Sequence, residues 1–384
     1  MKILIVRTMP EFSMDIYANG LISGLQIVRP EWEIVAIAPV PLSRSSRSWQ
    51  TRLHKYYERF WKFPNTVHRT VRQNKSDIVH IIDHSDGHLA CVLKNQATVI
   101  TCHDLINYFY PQNLQGSVQI PWISNALWRR SIHGMKHANH IVTVSQQTAQ
   151  DVTQILGISP AQMTVVPNAT SGFHPLFPLE REVLRQHYQL SADTTCLLNV
   201  GSNHPRKNIS TILQVIQQLK IQQIPIQFWK VGEDFTAEQQ SWIQAHHLQS
   251  CVTYLGKPDQ PTLLQLYNAA DMLLAPSTHE GFGITLLEAM ACGTPVITGN
   301  TSAMPEVVGD AGVLIDPLNV EAIAAAILHL RRDSTYRQTL IQKGLERVKT
   351  FTWEAVAEAI AQRYESLLPQ APTACSKVTQ KVNP

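Results

Sequence analysis

No stretch of the 384 residues approaches the roughly 20 consecutive apolar side chains that a membrane-crossing helix needs, so no such helix is expected. The N-terminal MKILIVRTMPEF puts one lysine ahead of a short apolar run and lacks the length and small-residue cleavage site of a secretion signal, so it reads as a first buried strand. The six cysteines (Cys91, Cys102, Cys196, Cys251, Cys292, Cys375) form no CxxC pair, and all but Cys375 sit among apolar or small residues. That pattern fits free thiols in a reducing cytoplasm rather than a disulfide framework. No GxGxxG follows the first apolar run, which argues against the usual dinucleotide fingerprint, and neither GxxxxGK[ST] nor GxSxG occurs. Charge of one sign is also scarce: charged residues make up 16% and the formal net charge is +3, too little to suggest a nucleic-acid binder.

What is present is an ordinary globular composition, 44% hydrophobic, of a length that suggests two domains. Short Ile/Val-rich runs at Lys2–Val6, 32–38, 77–82, 98–101 and 140–144 read as strands, with a helix at 15–28. Near-continuous apolar strands that alternate with amphipathic helices indicate a parallel sheet covered on both faces. The pattern pauses at 165–178, VVPNATSGFHPLFP, whose three prolines and small residues mark a connection. A second series then places strands at 196–200, 226–231, 252–255, 272–275 and 295–297, with helices near 207–220, 259–269, 284–292, 319–332 and 334–348. A last helix runs from about Thr352 to Leu368. The expected organisation is α/β, with two Rossmann-like doubly wound domains facing a cleft: residues 1–172, a linker at 173–190, residues 191–351, the helix 352–368, and a disordered tail at 369–384.

Ligands of such sheets bind beyond the carboxyl ends of the strands, so strand-to-helix loops carry the candidates. In STHEGFGITLLEAMACGTPVIT (277–298), Gly281 and Gly283 leave the backbone bare, and the helix from Ile284 offers the free N–H groups and dipole of an anion site. Glu280 precedes that turn and Glu288 lies about one turn inside the helix. An anion would repel both unless each contacts hydroxyls, which suits a ligand anionic in the middle and polyhydroxylated at both ends. A nucleotide sugar has that shape. A plain glycine turn with a solvent-facing Glu280 is the alternative.

A second loop, NVGSNHPRKN (199–208), puts Arg206 and Lys207 at a helix start, where cations are disfavoured unless an anion offsets them. His103 sits just past a buried strand in VITCHDL, where it can donate to a sugar hydroxyl, share a proton, or simply cap the strand. His80, His84 and His88 with Asp83 and Asp86 resemble metal ligands in type, but their spacing on a strand and loop does not force convergence on one ion, and a polar loop lining the cleft is the preferred reading. Segment 44–75 holds nine Lys/Arg and one acid, Glu58, interleaved with Trp49, Tyr56, Tyr57, Phe60, Trp61 and Phe63. Cations mixed with aromatics suit an anionic membrane surface better than nucleic acid. A solvated basic helix with its aromatics in the core is the alternative.

EGFGITLLEAMACGTPVIT (280–298) resembles the E-x7-E signature of the retaining glycosyltransferases of family 4, which have the GT-B fold. The resemblance extends to HANHIVTVSQQTAQDV (137–152) with VVPNAT, to LLNVGSNHPRKN, to VTYLGKPDQPTLLQLYNAADMLLAPS (252–277) and to MPEVVGDAGVLIDPLNVEAIAAAI (304–327). It implies that Glu280 meets the donor sugar, Glu288 the ribose, and the backbone of Gly281, Phe282 and Gly283, continuing into Ile284 and Thr285, the sugar and diphosphate. It further implies that Arg206 and Lys207, beyond Gly201 and Ser202, neutralise the diphosphate, that His103 faces the donor from the first domain, and that the last helix crosses back onto that domain. Two departures stand out. Arg206 and Lys207 are adjacent where the family often separates its cations, and TMPEFSM replaces a glycine-rich loop after the first strand.

The implied activity is transfer of a hexosyl group from a nucleoside diphosphate sugar to a glycan or lipid-linked acceptor, with retention and without a bound metal or other cofactor. A sugar-nucleotide epimerase of the same fold and a non-catalytic nucleotide-sugar-binding subunit are the alternatives. The expected location is cytoplasmic and peripheral at the inner membrane face, with no nucleic-acid partner.

Overall fold

The computed structural model describes residues 1–8, 12–40, 54, 56–109 and 122–368. The first sheet contains β1 (Lys2–Val6), β2 (Glu33–Ile37), β3 (Ile78–Ile81), β4 (Ala97–Cys102), β5 (His140–Thr143) and β6 (Met163–Val165), in the order β2-β1-β3-β4-β5-β6. The second contains β7 (Thr195–Gly201), β8 (Ile226–Gly232), β9 (Val252–Tyr254), β10 (Met272–Ala275), β11 (Val296–Gly299) and β12 (Val313–Ile315), in the order β12-β11-β10-β7-β8-β9. Every pairing is parallel, with Val6 opposite both Ile37 and Ile81 and Gly201 opposite Gly232.

Successive strand residues point to opposite faces, and both faces are covered, which is why the central strands are mostly apolar. On one face of the first sheet, Leu4, Val79, Ile81 and Ile100 pack on Phe63, Val67 and Val71 of the helix Phe63–Asn74. On the other, Ile3, Ile5, Ile78 and Val99 pack on Tyr17, Leu21 and Leu25 of the helix Phe12–Val28, and on Val356, Ile360 and Tyr364. The last three belong to the helix Trp353–Leu367, capped by Thr352, so the chain's final described helix covers its first strand. The second sheet is built alike, with Leu198 and Leu273 in one core cluster and Leu197, Phe228 and Ile297 in the other.

The structure departs from the sequence reading at the sheet edges and in the connection. β6 and β12 add one three-residue strand to each sheet, and both lie at an edge. Residues 173–190 are not a free linker, because they hold the helix Pro178–His187. Arg181 Nε donates to the Asn268 carbonyl (2.8 Å), and Arg185 pairs with Asp271 (3.0 Å), which ties this helix to the second sheet's layer. The tail 369–384 lies outside the described residues.

Candidate functional site

Read from its far edge, the second sheet has the 3-2-1-4-5-6 order of a doubly wound fold, with β7 as its first strand, so the winding reverses between β7 and β10. The loops that leave these two strands carry Arg206, Lys207 and Glu280, and they are stitched together. Thr278 N–H donates to Arg206 O (2.8 Å), Arg206 Nη1 to His279 O (3.0 Å) and Asn208 Nδ2 to Pro276 O (3.2 Å).

Glu280 is 7% exposed and bridges the two cations. Lys207 Nζ lies 2.6 Å from Oε1, Arg206 Nη1 pairs with Oε2, and Ser277 Oγ donates to Oε1 (2.7 Å). Burial alone would raise its pKa, but Lys207 and Arg206 outweigh burial and hold the carboxyl at about 2. The loop after β11 completes the grip: Ser302 Oγ accepts from Glu280 N–H (3.2 Å) and donates to Glu280 O (2.8 Å). The solvent-facing Glu280 is therefore excluded. The anion that offsets Arg206 and Lys207 is the protein's own, and two cations against one carboxylate leave the cluster a net positive charge. The cations also stand earlier than expected. They lie in the short turn Pro205–Lys207, and the helix Ile209–Ile221 starts only after Asn208, whose φ of 59° breaks the run.

Gly201 ends β7, with the Lys207 side chain over it and the half-buried Ser202 next in line. Behind it stands a residue that the sequence reading passed over. Lys230 of β8 is fully buried, its ammonium 2.7 Å from Gly201 O and 2.9 Å from Val231 O, and burial, with Lys207 nearby, pushes its pKa down to about 8. A lysine inside the apolar run IQFWKVG is the signal that could have found it.

Gly283 adopts φ 97° at the start of the helix Ile284–Ala291, a conformation that favours glycine, and its first turn holds the half-buried Ile284 and Thr285. Gly281 does something other than expected. A Cβ there would lie 2.0 Å from His103 O and 2.7 Å from Asp104 Cβ, so the missing side chain makes room for a loop of the first sheet rather than for a ligand alone. Phe282 points inward, 6% exposed, with its ring 6.1 Å from that of Phe351. Glu288 is half-buried and accepts from Tyr267 Oη–H (2.7 Å). Burial pushes its carboxyl up to about 7 against the opposing pull of Tyr267 and Lys207.

His103 follows β4 and is buried, with its ring edge-on to Tyr17 at 4.7 Å. Nε2 lies 2.9 Å from Ile82 O, which can only accept, so Nε2 carries the proton. Burial lowers the pKa against the pull of Asp83, and the neutral ring offers Nδ1 as an acceptor. In this arrangement His103 can receive a hydrogen bond from a hydroxyl but not donate one. The structure thus brings Arg206, Lys207 and Glu280 into direct contact, sets Gly281 against the His103 backbone, and keeps Glu288 on a separate hydrogen bond.

The histidine-rich segment that begins within β3 is occupied with structure. His80 bonds Tyr364 Oη and Thr101 Oγ1, Asp86 pairs with Arg59 (2.7 Å), and His88 bonds Ser131 Oγ (2.9 Å). Among the described residues no group of three or more His, Cys, Asp or Glu could hold a metal ion.

Residues 26–171 match the model of Glycosyltransferase Family 4, and residues 180–347 that of Glycosyl transferases group 1. The chain is 33% identical over 255 residues to O-antigen chain mannosyltransferase B of Escherichia coli, covering 62% of this chain and 64% of that protein. It is 28% identical over 255 residues to glycogen synthase of Mycobacterium tuberculosis, covering 63% and 59%. The matches thus span under two thirds of these relatives' own lengths. Its fold is similar to that of sucrose-phosphate synthase from Thermosynechococcus elongatus (TM-score 0.76, 23% identity, 95% of this chain and 98% of that one). It is also similar to that of Anabaena HepE in complex with UDP-glucose (TM-score 0.70, 18% identity, 95% and 100%). With two parallel six-stranded α/β sheets and structural neighbours matched over 95% of its length, the chain has the GT-B fold, and it is similar in succession to two glycosyltransferase family models.

Proposed function

We propose that the protein transfers a hexosyl group from a nucleoside diphosphate sugar to a glycan or lipid-linked acceptor with retention of anomeric configuration, in the biosynthesis of a polysaccharide. The observation that carries this reading is the Arg206–Glu280–Lys207 cluster at the point where the second sheet's winding reverses. The departing diphosphate gains charge as the glycosidic bond breaks, and preorganised cations beside a helix N-terminus stabilise that charge. Arg206 and Lys207 fill this role in place of a bound metal, together with the first turn at Ile284 and Thr285. Glu280, ionised at every physiological pH, accepts hydrogen bonds from donor-sugar hydroxyls, Glu288 does so from the ribose, and His103 Nδ1 receives a hydroxyl from the opposite wall. The E-x7-E resemblance supports retention, and the names of the relatives, a mannosyltransferase and a glycogen synthase, support a hexose.

The test is turnover on a panel of UDP-, GDP- and ADP-sugars, with the product anomer read by NMR. Lys207→Ala is expected to lower kcat at least a hundredfold, roughly the cost of removing one charge-stabilising group, and EDTA is expected to leave the unmodified enzyme unchanged. Equal activity of the variant, or an inverted product, would contradict the reading.

The same enzyme is proposed to work peripherally at an anionic membrane face, through the segment around the helix Phe63–Asn74. Tyr57 and Trp61 are 55% and 60% exposed, and Arg69, Arg72 and Lys75 are exposed beyond them. Arg59 and Lys62 are instead held by Asp86 and Glu58, and Phe63 is in the core. The cations at 44, 47, 52 and 55 lie outside the described residues.

A further inference from the structure

The helix Gln146–Leu156 follows β5 in the first sheet, yet its N-terminal end bonds almost entirely to the second. Its N-cap, Ser145, is 1% exposed and accepts from Thr148 N–H (3.0 Å). Ser145 Oγ–H then donates to Thr148 Oγ1 (3.0 Å), and the fully buried Thr148 hydroxyl donates onward to Gly281 O (3.1 Å). One turn further, Asp151, 3% exposed, is oriented by Gln147 Nε2 (2.8 Å) and faces His279 Nε2 at 3.5 Å. At the start of the same helix, Gln146 N–H donates to the Glu306 carboxylate at 3.0 and 3.1 Å.

His279 and Gly281 are the two neighbours of Glu280. One helix of the first sheet therefore holds the residue on each side of the carboxylate that bridges Arg206 and Lys207. Because Gly281 also abuts His103 O, the peptide around Glu280 is pinned on the first-sheet side by a hydrogen bond, by an imidazole–carboxylate contact and by backbone packing. A carboxylate held from both flanks has little freedom to swing, and small misplacements at a reacting centre cost large factors in rate.

We infer that Thr148 and Asp151 are positioning residues for Glu280, acting across the boundary between the two sheets, so that the first sheet sets the geometry of a group carried by the second. The inference rests on the reading of Glu280 as a donor-sugar contact. Thr148 delivers the decisive bond, because its hydroxyl both receives from Ser145 and donates to Gly281. Replacing it by an isosteric apolar group removes the donor and leaves a carbonyl without its partner.

The experiment compares T148V with T148S by two independent readouts. Hydrogen exchange of the peptide spanning 279–284 should quicken several-fold in T148V and stay at the unmodified rate in T148S. The kcat of T148V should fall about tenfold, the cost of one lost hydrogen bond, while Kd for the nucleoside diphosphate alone stays within about twofold, since Arg206 and Lys207 are untouched. T148S should restore kcat. A merely structural threonine would instead lower Tm and weaken nucleoside diphosphate binding together with kcat. Unchanged exchange, or unchanged kcat, in T148V would overturn the inference. Should the valine variant not fold, T148A makes the same cut. If the unmodified protein uses no nucleotide sugar, the proposed function fails, while the exchange comparison still decides whether Thr148 holds the Glu280 loop.

Discussion

Glu280 and Glu288 belong to one loop-and-helix unit, yet their surroundings drive them in opposite directions. Two cations hold the first at about 2, while burial pushes the second up to about 7. Paired carboxyls whose environments separate their pKa values take different chemical roles. Glu280 is a permanent acceptor, whereas Glu288 changes state near neutrality. For Glu288 the folded state binds its proton more tightly than the unfolded chain does, so its contribution to stability is greatest at low pH and is lost as pH rises from 4.5 through about 7. The Tm advantage of Glu288→Gln over the unmodified protein should accordingly grow across that interval and level off above it. If Glu288 holds the ribose, donor affinity should rise over the same interval in the unmodified protein and lose this dependence in the variant. A pH-independent difference in Tm would contradict the assignment.

At the scale of elements, the apolar strands and amphipathic helices were legible because burial on both faces writes itself into every residue of a central strand. β6 and β12 were not, because each is three residues long and set between chain breakers, Pro160 and Pro167 around one and Gly312 and Pro317 around the other, so their short patterns merge with the flanking turns. The helix Pro178–His187 was hidden by its own proline and by neighbouring breakers. Pro178 stands at its first position, where the missing N–H costs nothing. The basic, aromatic segment was legible as composition only. The structure sorts its aromatics, with Phe63 inside and Tyr57 and Trp61 outside. Sedimentation with phosphatidylglycerol vesicles should show binding that weakens as salt rises and drops in Trp61→Ala. An absence of binding at low salt would reject the membrane proposal.

At the scale of the whole molecule, the first sheet is finished by the last described helix. Ile360 and Tyr364 are fully buried against strands laid down more than 250 residues earlier. Ile360→Ala should therefore destabilise the first half by about 2–5 kcal/mol, the usual cost of such a truncation in a packed core. Thermal unfolding would register the loss, and an unchanged Tm would show that the helix is not integral to that core.

Local patterning determined a great deal without any structure: two α/β halves, the loops at their strand ends, and the stretch that places Glu280 and Glu288 around a helix start. These are short-range properties, set by side-chain periodicity and by glycine and proline within a few residues. Only the tertiary structure decided the chemistry of the groups. Arg206 reaches Glu280 across 74 positions and Thr148 reaches Gly281 across 133, and the His103 tautomer depends on the carbonyl of Ile82, 21 positions earlier and just past a neighbouring strand. Charge state and hydrogen-bond direction follow from what a side chain touches, and no local pattern records contacts made at that distance.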